Sequence, residues 1–167
     1  MAAVELGELI PNLVAMVSVP GKPLYQGVAE ADWIQYLLNG FYLAQLEGML
    51  GGWESDEDGV VTPVGGGDAT LSRELQQIAV IYAGIDIVRN ELRQLKSVFK
   101  AKAGPVSYET QQHASVLKAI LDSLMGQKAT VLDRLSDTGY QGAAYVVNNV
   151  LERDANLNAA LLNWVDY

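Results

Sequence analysis

The residues that could do chemistry are few. The chain of 167 residues holds one histidine, His113, and no cysteine. Disulfides, thiolate nucleophiles and Cys-ligated zinc are therefore excluded. A lone imidazole has no second one with which to share a metal. His113 follows Gln111 and Gln112 and reads as a surface or half-buried helix residue. Asp56-Glu57-Asp58-Gly59 brings three carboxylates together and invites a calcium reading. The calcium loop needs alternating oxygen ligands, a glycine at position six and a glutamate at twelve. Counted from Asp56, glycine comes fourth and position twelve is Gly67, so the pattern fails and the run reads as an exposed acidic loop. Gly65-Gly66-Gly67 is followed by no lysine and has acidic neighbours, unlike a phosphate cradle. No catalytic residue, metal or cofactor is assigned, and the chain is not expected to be an enzyme.

The elements that would carry these residues are mostly helical. Leu6, Leu9, Ile10, Leu13, Val14 and Val17 are spaced for a helix. Pro11 fits only its first turn, so a short helix is predicted from about Pro11, with a turn before it. Val19-Pro20-Gly21-Lys22-Pro23 reads as a loop. A second helix is predicted from Val28 to Leu50, stopped by Gly51-Gly52. The segment from Gly51 to Ala69 is acidic and glycine-rich and reads as a long loop (51–70) that Val60-Val61 could interrupt with a short strand. The third helix has the apolar series Leu71, Leu75, Ile78, Tyr82, Ile85, Leu92, Leu95 and Phe99, one long packing face. Ser72 and Thr70 are equal candidates to cap it. Ala103-Gly104-Pro105 ends it. A fourth helix follows from Ser107 to Leu135, with Ala114, Leu117, Leu121, Leu124, Val131 and Leu135 on its face and Lys128 expected to snorkel at the edge. Gly40 and Gly84 lie inside helices and mark close helix approach. Two long amphipathic helices joined by a short turn pack antiparallel. The expected fold is all-α: a bundle over residues 1–139 built on that hairpin, with a C-terminal arm over 140–167.

Charge is unevenly spread over the net −9. Met1 to Asp68 holds ten acidic residues and only Lys22 as a base; Ala69 to Gly104 has three acids and six bases. Arg89, Arg93, Lys96, Lys100 and Lys102 form a basic patch that reads as a solvated helix face or an interface. The acidic surplus argues against a nucleic-acid backbone as the main ligand. Met1 to Ile10 carries Glu5 and Glu8 and no base, the opposite of a secretory signal, and no apolar run approaches a membrane span. The expectation is a soluble, unprocessed chain. The arm is different in kind. Tyr140, Tyr145, Leu161, Leu162, Trp164, Val165 and Tyr167 supply aromatic and aliphatic groups that need cover, from the bundle or from a partner.

One stretch carries a resemblance. Leu71-Ser-Arg-Glu-Leu-Gln-Gln is followed by Tyr82-Ala83-Gly84 and Arg89-Asn90-Glu91-Leu92. Then come Phe99-Lys100-Ala101-Lys102-Ala103-Gly104-Pro105-Val106, Tyr108-Glu109-Thr110-Gln111-Gln112 and Ala114-Ser115-Val116-Leu117. From Leu71 to Leu135 the chain resembles the head-to-tail adaptor (connector) proteins of tailed bacteriophages with actinobacterial-type hosts. The resemblance implies a virion protein of the phage neck, assembled in the host cytoplasm. It implies a ring, usually of twelve copies, built on a helical bundle. The portal protein would bind the arm from Tyr140 to Tyr167, the next neck or tail-completion protein would bind the opposite side, and DNA would pass the lumen without being read. No membrane, cofactor or catalytic residue is implied. Two alternatives are another completion or assembly protein of the same kind of particle, and a small helical regulator or metal-dependent enzyme using the acidic segment.

Overall fold

The computed structural model describes residues 4–18, 25, 27–66, 69–101 and 108–137. The element order is β1 (Val4–Glu5), a 3-10 turn (Leu6–Leu9), α1 (Ile10–Val17), α2 (Glu30–Leu46), β2 (Trp53–Ser55), β3 (Val60–Pro63), α3 (Arg73–Ala101) and α4 (Tyr108–Asp137). The described part is mostly helical. The loop predicted at 19–23, the turn at 103–105 and the arm from 140 to 167 lie outside the described residues.

The helix boundaries follow local chemistry. Pro11 sits in the first turn of α1, where its missing N–H costs nothing. The expected helix over 28–50 is shorter at both ends. Glu30 and Asp32 occupy its first turn, where acid is favoured by the dipole. Its stop is Gly48, not Gly51-Gly52. Gly48 has φ +83°, its N–H donates to the Gln45 carbonyl at 2.8 Å and the Met49 N–H to Ala44 at 2.9 Å. These paired bonds close the helix in a Schellman turn. At α3 the choice of cap falls to Ser72, whose Oγ accepts the Leu75 N–H at 3.3 Å.

The all-α expectation needs one correction. A three-stranded antiparallel sheet of order β1-β3-β2 occupies most of the supposed acidic loop. Trp53 pairs with Pro63, Glu54 with Thr62 and Ser55 with Val61, and Val4 and Glu5 add an edge strand opposite Val61 and Val60. The strands are too short to show a period of two. The Val60-Val61 strand was visible in the sequence, but its partners were not.

The core centres on α3. From Ile78 to Val88 every residue except Asp86 is buried, so this stretch is covered all round rather than on one face. Gly40 of α2 lies directly against it. A Cβ built on Gly40 would abut the Ala79 carbonyl and come within 2.5 Å of the Ala83 nitrogen. Gly84 faces elsewhere, with Leu124 of α4 at 3.3 Å and Val17 of α1 at 3.5 Å from a Cβ built there. Contacts between α3 and α4 run in opposite chain order: Tyr82 with Lys128, Gly84 with Leu124, and Glu91 with His113.

Candidate interaction surfaces

The acidic segment is built rather than loose. The Asp56 carboxylate accepts the N–H of Asp58 at 3.1 Å and of Val60 at 2.8 Å. Such a side-chain turn is a standard use of aspartate. It commits Oδ1 of Asp56 to the backbone. Gly59, at φ +83°, completes the turn, and its carbonyl accepts the Leu6 N–H at 2.8 Å. A Cβ built on Gly59 would meet Ile34 of α2 at 3.0 Å, so the turn is seated on the bundle. Glu54, Glu57 and Asp58 remain exposed beside Asp56. Among the described residues, no group of three or more His, Cys, Asp or Glu is arranged to hold a metal.

The basic patch is less uniform than its sequence suggests. Arg89, Arg93, Lys96 and Lys100 fall on one stripe of α3 by spacing, but of the three whose side chains are described Arg93 is exposed, while Arg89 and Lys96 are half-buried. Asp86 and Glu91 interleave with them, and Asn90 bridges Asp86 (3.2 Å) to Arg93 (3.2 Å). Lys102 and the Lys100 side chain lie outside the described residues, as do all seven arm residues, Tyr140, Tyr145, Leu161, Leu162, Trp164, Val165 and Tyr167. His113 is half-buried, as its position implied, with Nε2 3.6 Å from a Glu91 oxygen.

Lys128 is placed differently from the expectation. It does not snorkel; it is 2% exposed. Its Nζ lies 3.3 Å from Glu47 Oε2 and 4.3 Å from the centre of the Tyr82 ring, and the Tyr82 hydroxyl donates to the same Glu47 oxygen. Glu47, 13% exposed at its side chain, follows the last residue of α2, so this node ties α2, α3 and α4 together. A buried pair of this kind adds little over an apolar trio, but removing either partner alone is costly because it leaves the other charge uncompensated. Sequence spacing put Lys128 on the packing stripe but could not supply Glu47, 81 residues earlier.

Among the described residues, two surfaces have apolar character. On α2 the solvent stripe runs Asp32, Gln35, Asn39, Tyr42, Leu46. Its last two members are apolar, with Leu46 83% and Tyr42 46% exposed. They are four residues apart and so stand one above the other. Val64, after β3, is also exposed. Elsewhere a groove of about 520 Å³ opens between α1, α3 and α4. Leu9, Met16 and Val80 supply its apolar wall, and Asn12, Gln76, Gln77, Ser123 and Gln127 its polar rim. Arg73 is its one charged lining residue among those described. Neither surface is legible in the sequence. Both depend on which neighbours stop short, which spacing does not reveal.

No protein-family model, curated protein or solved structure matches this chain. No described helix is long and apolar enough to cross a membrane.

Proposed function

We propose that this protein is a structural head-to-tail adaptor of a tailed phage, one subunit of a ring in the virion neck between the portal and the next connector protein. The observation that carries the reading is the pair of unlike surfaces on one small helical bundle. An exposed apolar pair on α2 stands on one side, and an amide-rimmed groove between α1, α3 and α4 lies elsewhere. A subunit that meets its neighbours through different faces generates rings when the rotation closes. The sequence resemblance over Leu71–Leu135 supplies the identity of the particle. In this reading α3 and α4 form one continuous antiparallel hairpin, supported by their oppositely ordered contacts. Residues 140–167 form the arm that docks on the portal through Trp164 and its aliphatic neighbours. DNA passes the lumen without being held, since a net charge of −9 opposes a polyanion.

The test is assembly. Purified protein is mixed with portal-filled, tail-less heads of the particle it belongs to and imaged by electron microscopy. A ring of density added below the portal, lost when residues 156–167 are deleted, supports the reading. Absence of any added density, with the full chain in excess, removes it.

A further inference from the structure

We infer that the exposed Tyr42–Leu46 pair of α2 docks into the α1–α3–α4 groove of a second copy of this chain. The inference deepens the ring reading and rests on it for the expectation that the contact repeats from copy to copy. The first ground is shape and chemistry. Leu46, at the last position of α2, projects from a helix end fixed by the Schellman turn at Gly48. The groove offers Leu9, Met16 and Val80 to an apolar side chain, and Gln77 and Gln127 to a tyrosine hydroxyl. Its size falls within the range of about 300–1,000 Å³ that receives compact ligands.

The second ground is charge. No lysine or arginine occurs between Gly27 and Ser72, so α2 and the β2–β3 hairpin carry acidic charge alone. Glu54, Asp56, Glu57 and Asp58 are exposed there. Among the described residues that line the groove, the charged one is Arg73. An α2 face meeting itself across a two-fold axis would bring like charges together. The same face meeting the groove brings Glu54, next to the Trp53 carbonyl that accepts from Gln45 at that end of α2, toward Arg73. Complementary potential selects the second pairing, which is heterologous and propagates.

The absence of cysteine makes the test direct. Leu46→Cys and Ala15→Cys, the latter exposed on the groove wall, are made singly and together, and concentrated protein is treated with a short bismaleimide. The double variant is expected to give a ladder of covalent oligomers. Each single variant should give little product, and an equal mixture of the two singles should give dimers. Leu46→Asp and Arg73→Glu should each weaken self-association in sedimentation by about tenfold or more, the loss expected from removing one buried leucine or a facing charge. Efficient dimers from Leu46→Cys alone would show a two-fold contact and overturn the proposal. So would an absent ladder, or slow alkylation of Leu46→Cys in dilute protein, which would mean the chain's own residues cover the site. The outcome is separable from the neck reading. A ladder without portal binding leaves this contact standing and removes the neck, and portal binding without a ladder does the reverse.

Discussion

The two long neighbours of α3 hold it by opposite means. Against α2 the contact is made by leaving a side chain out: Gly40 admits the backbone of Ala79 and Ala83. Against α4 the contact is made by side chains, with Leu124 over Gly84, Lys128 over Tyr82 and His113 beside Glu91. The first contact has no slack, because backbone cannot rotate away. The second has some, because the groups that meet are the ends of flexible chains. A bundle can thus be rigid along one seam and adaptable along another.

The comparison breaks most visibly at Gly40. Gly40→Val should abolish the cooperative thermal transition, because a branched side chain would have to occupy space already filled by α3 backbone. Gly40→Ala should also destabilise, by more than the ~1 kcal/mol that helix propensity would contribute in its favour. Urea titration followed by circular dichroism measures both, and a Gly40→Ala midpoint at or above the parent's would show that the seam can open. Next in size is Lys128→Ala, which leaves the mostly buried Glu47 carboxylate with the Tyr82 hydroxyl but without its facing cation. Loss of one partner of such a pair costs about 3–5 kcal/mol. Glu47→Gln combined with Lys128→Met should recover most of that loss, since both charges leave together. If the double variant is as unstable as the single, the node acts by packing and not by charge.

Gly84→Ala is the matched control for Gly40→Ala. Its new Cβ would meet the Leu124 methyls at 3.3 and 3.4 Å and a Val17 methyl at 3.5 Å, groups that can shift by tenths of an ångström. Stability should change by less than about 1 kcal/mol in either direction, as propensity and crowding offset. A loss matching that of Gly40→Ala would erase the distinction between the seams. The sequence showed that both glycines mark close approach, but not which approach is backbone and which is side chain. That depends on the rotation of α3 against each neighbour. The long helices were legible because 29 and 30 residues of apolar spacing repeat the same signal many times. The sheet was nearly invisible because its strands of two to four residues owe their form to Asp56 and Gly59, turn residues that composition alone reads as loop. The Lys128 node was illegible because its partner is remote in sequence, and the two apolar surfaces because exposure is a property of what fails to cover them.

The smallest expected effect lies at the far end of the α2–α3 seam, where the dry contact gives way to a polar one. Tyr25 stacks edge-on against Trp33 with ring centres 5.8 Å apart, and Trp33 against Tyr36 at 5.9 Å. The Tyr25 hydroxyl is buried without a hydrogen bond of normal geometry. Burial first, and the nearby Glu91 carboxylate second, hold its ionisation well above the usual phenol range. The sign follows from linkage. The folded state keeps the Tyr25 proton at a pH where the unfolded chain, titrating near 10.0, releases it. The stability this represents is complete below the unfolded value and falls away as pH rises beyond it. Near neutrality Tyr25→Phe should therefore be at least as stable as the parent, because it removes a buried hydroxyl without a normal hydrogen bond and keeps the ring contact. Between about pH 9 and pH 11 the parent should lose stability more steeply than Tyr25→Phe, because only the parent must hold this phenol un-ionised against the unfolded state. Urea midpoints of the two proteins across that range are the measurement. Parallel curves would mean that Tyr25 ionises as freely in the fold as out of it, and that the seam is already wet at this end.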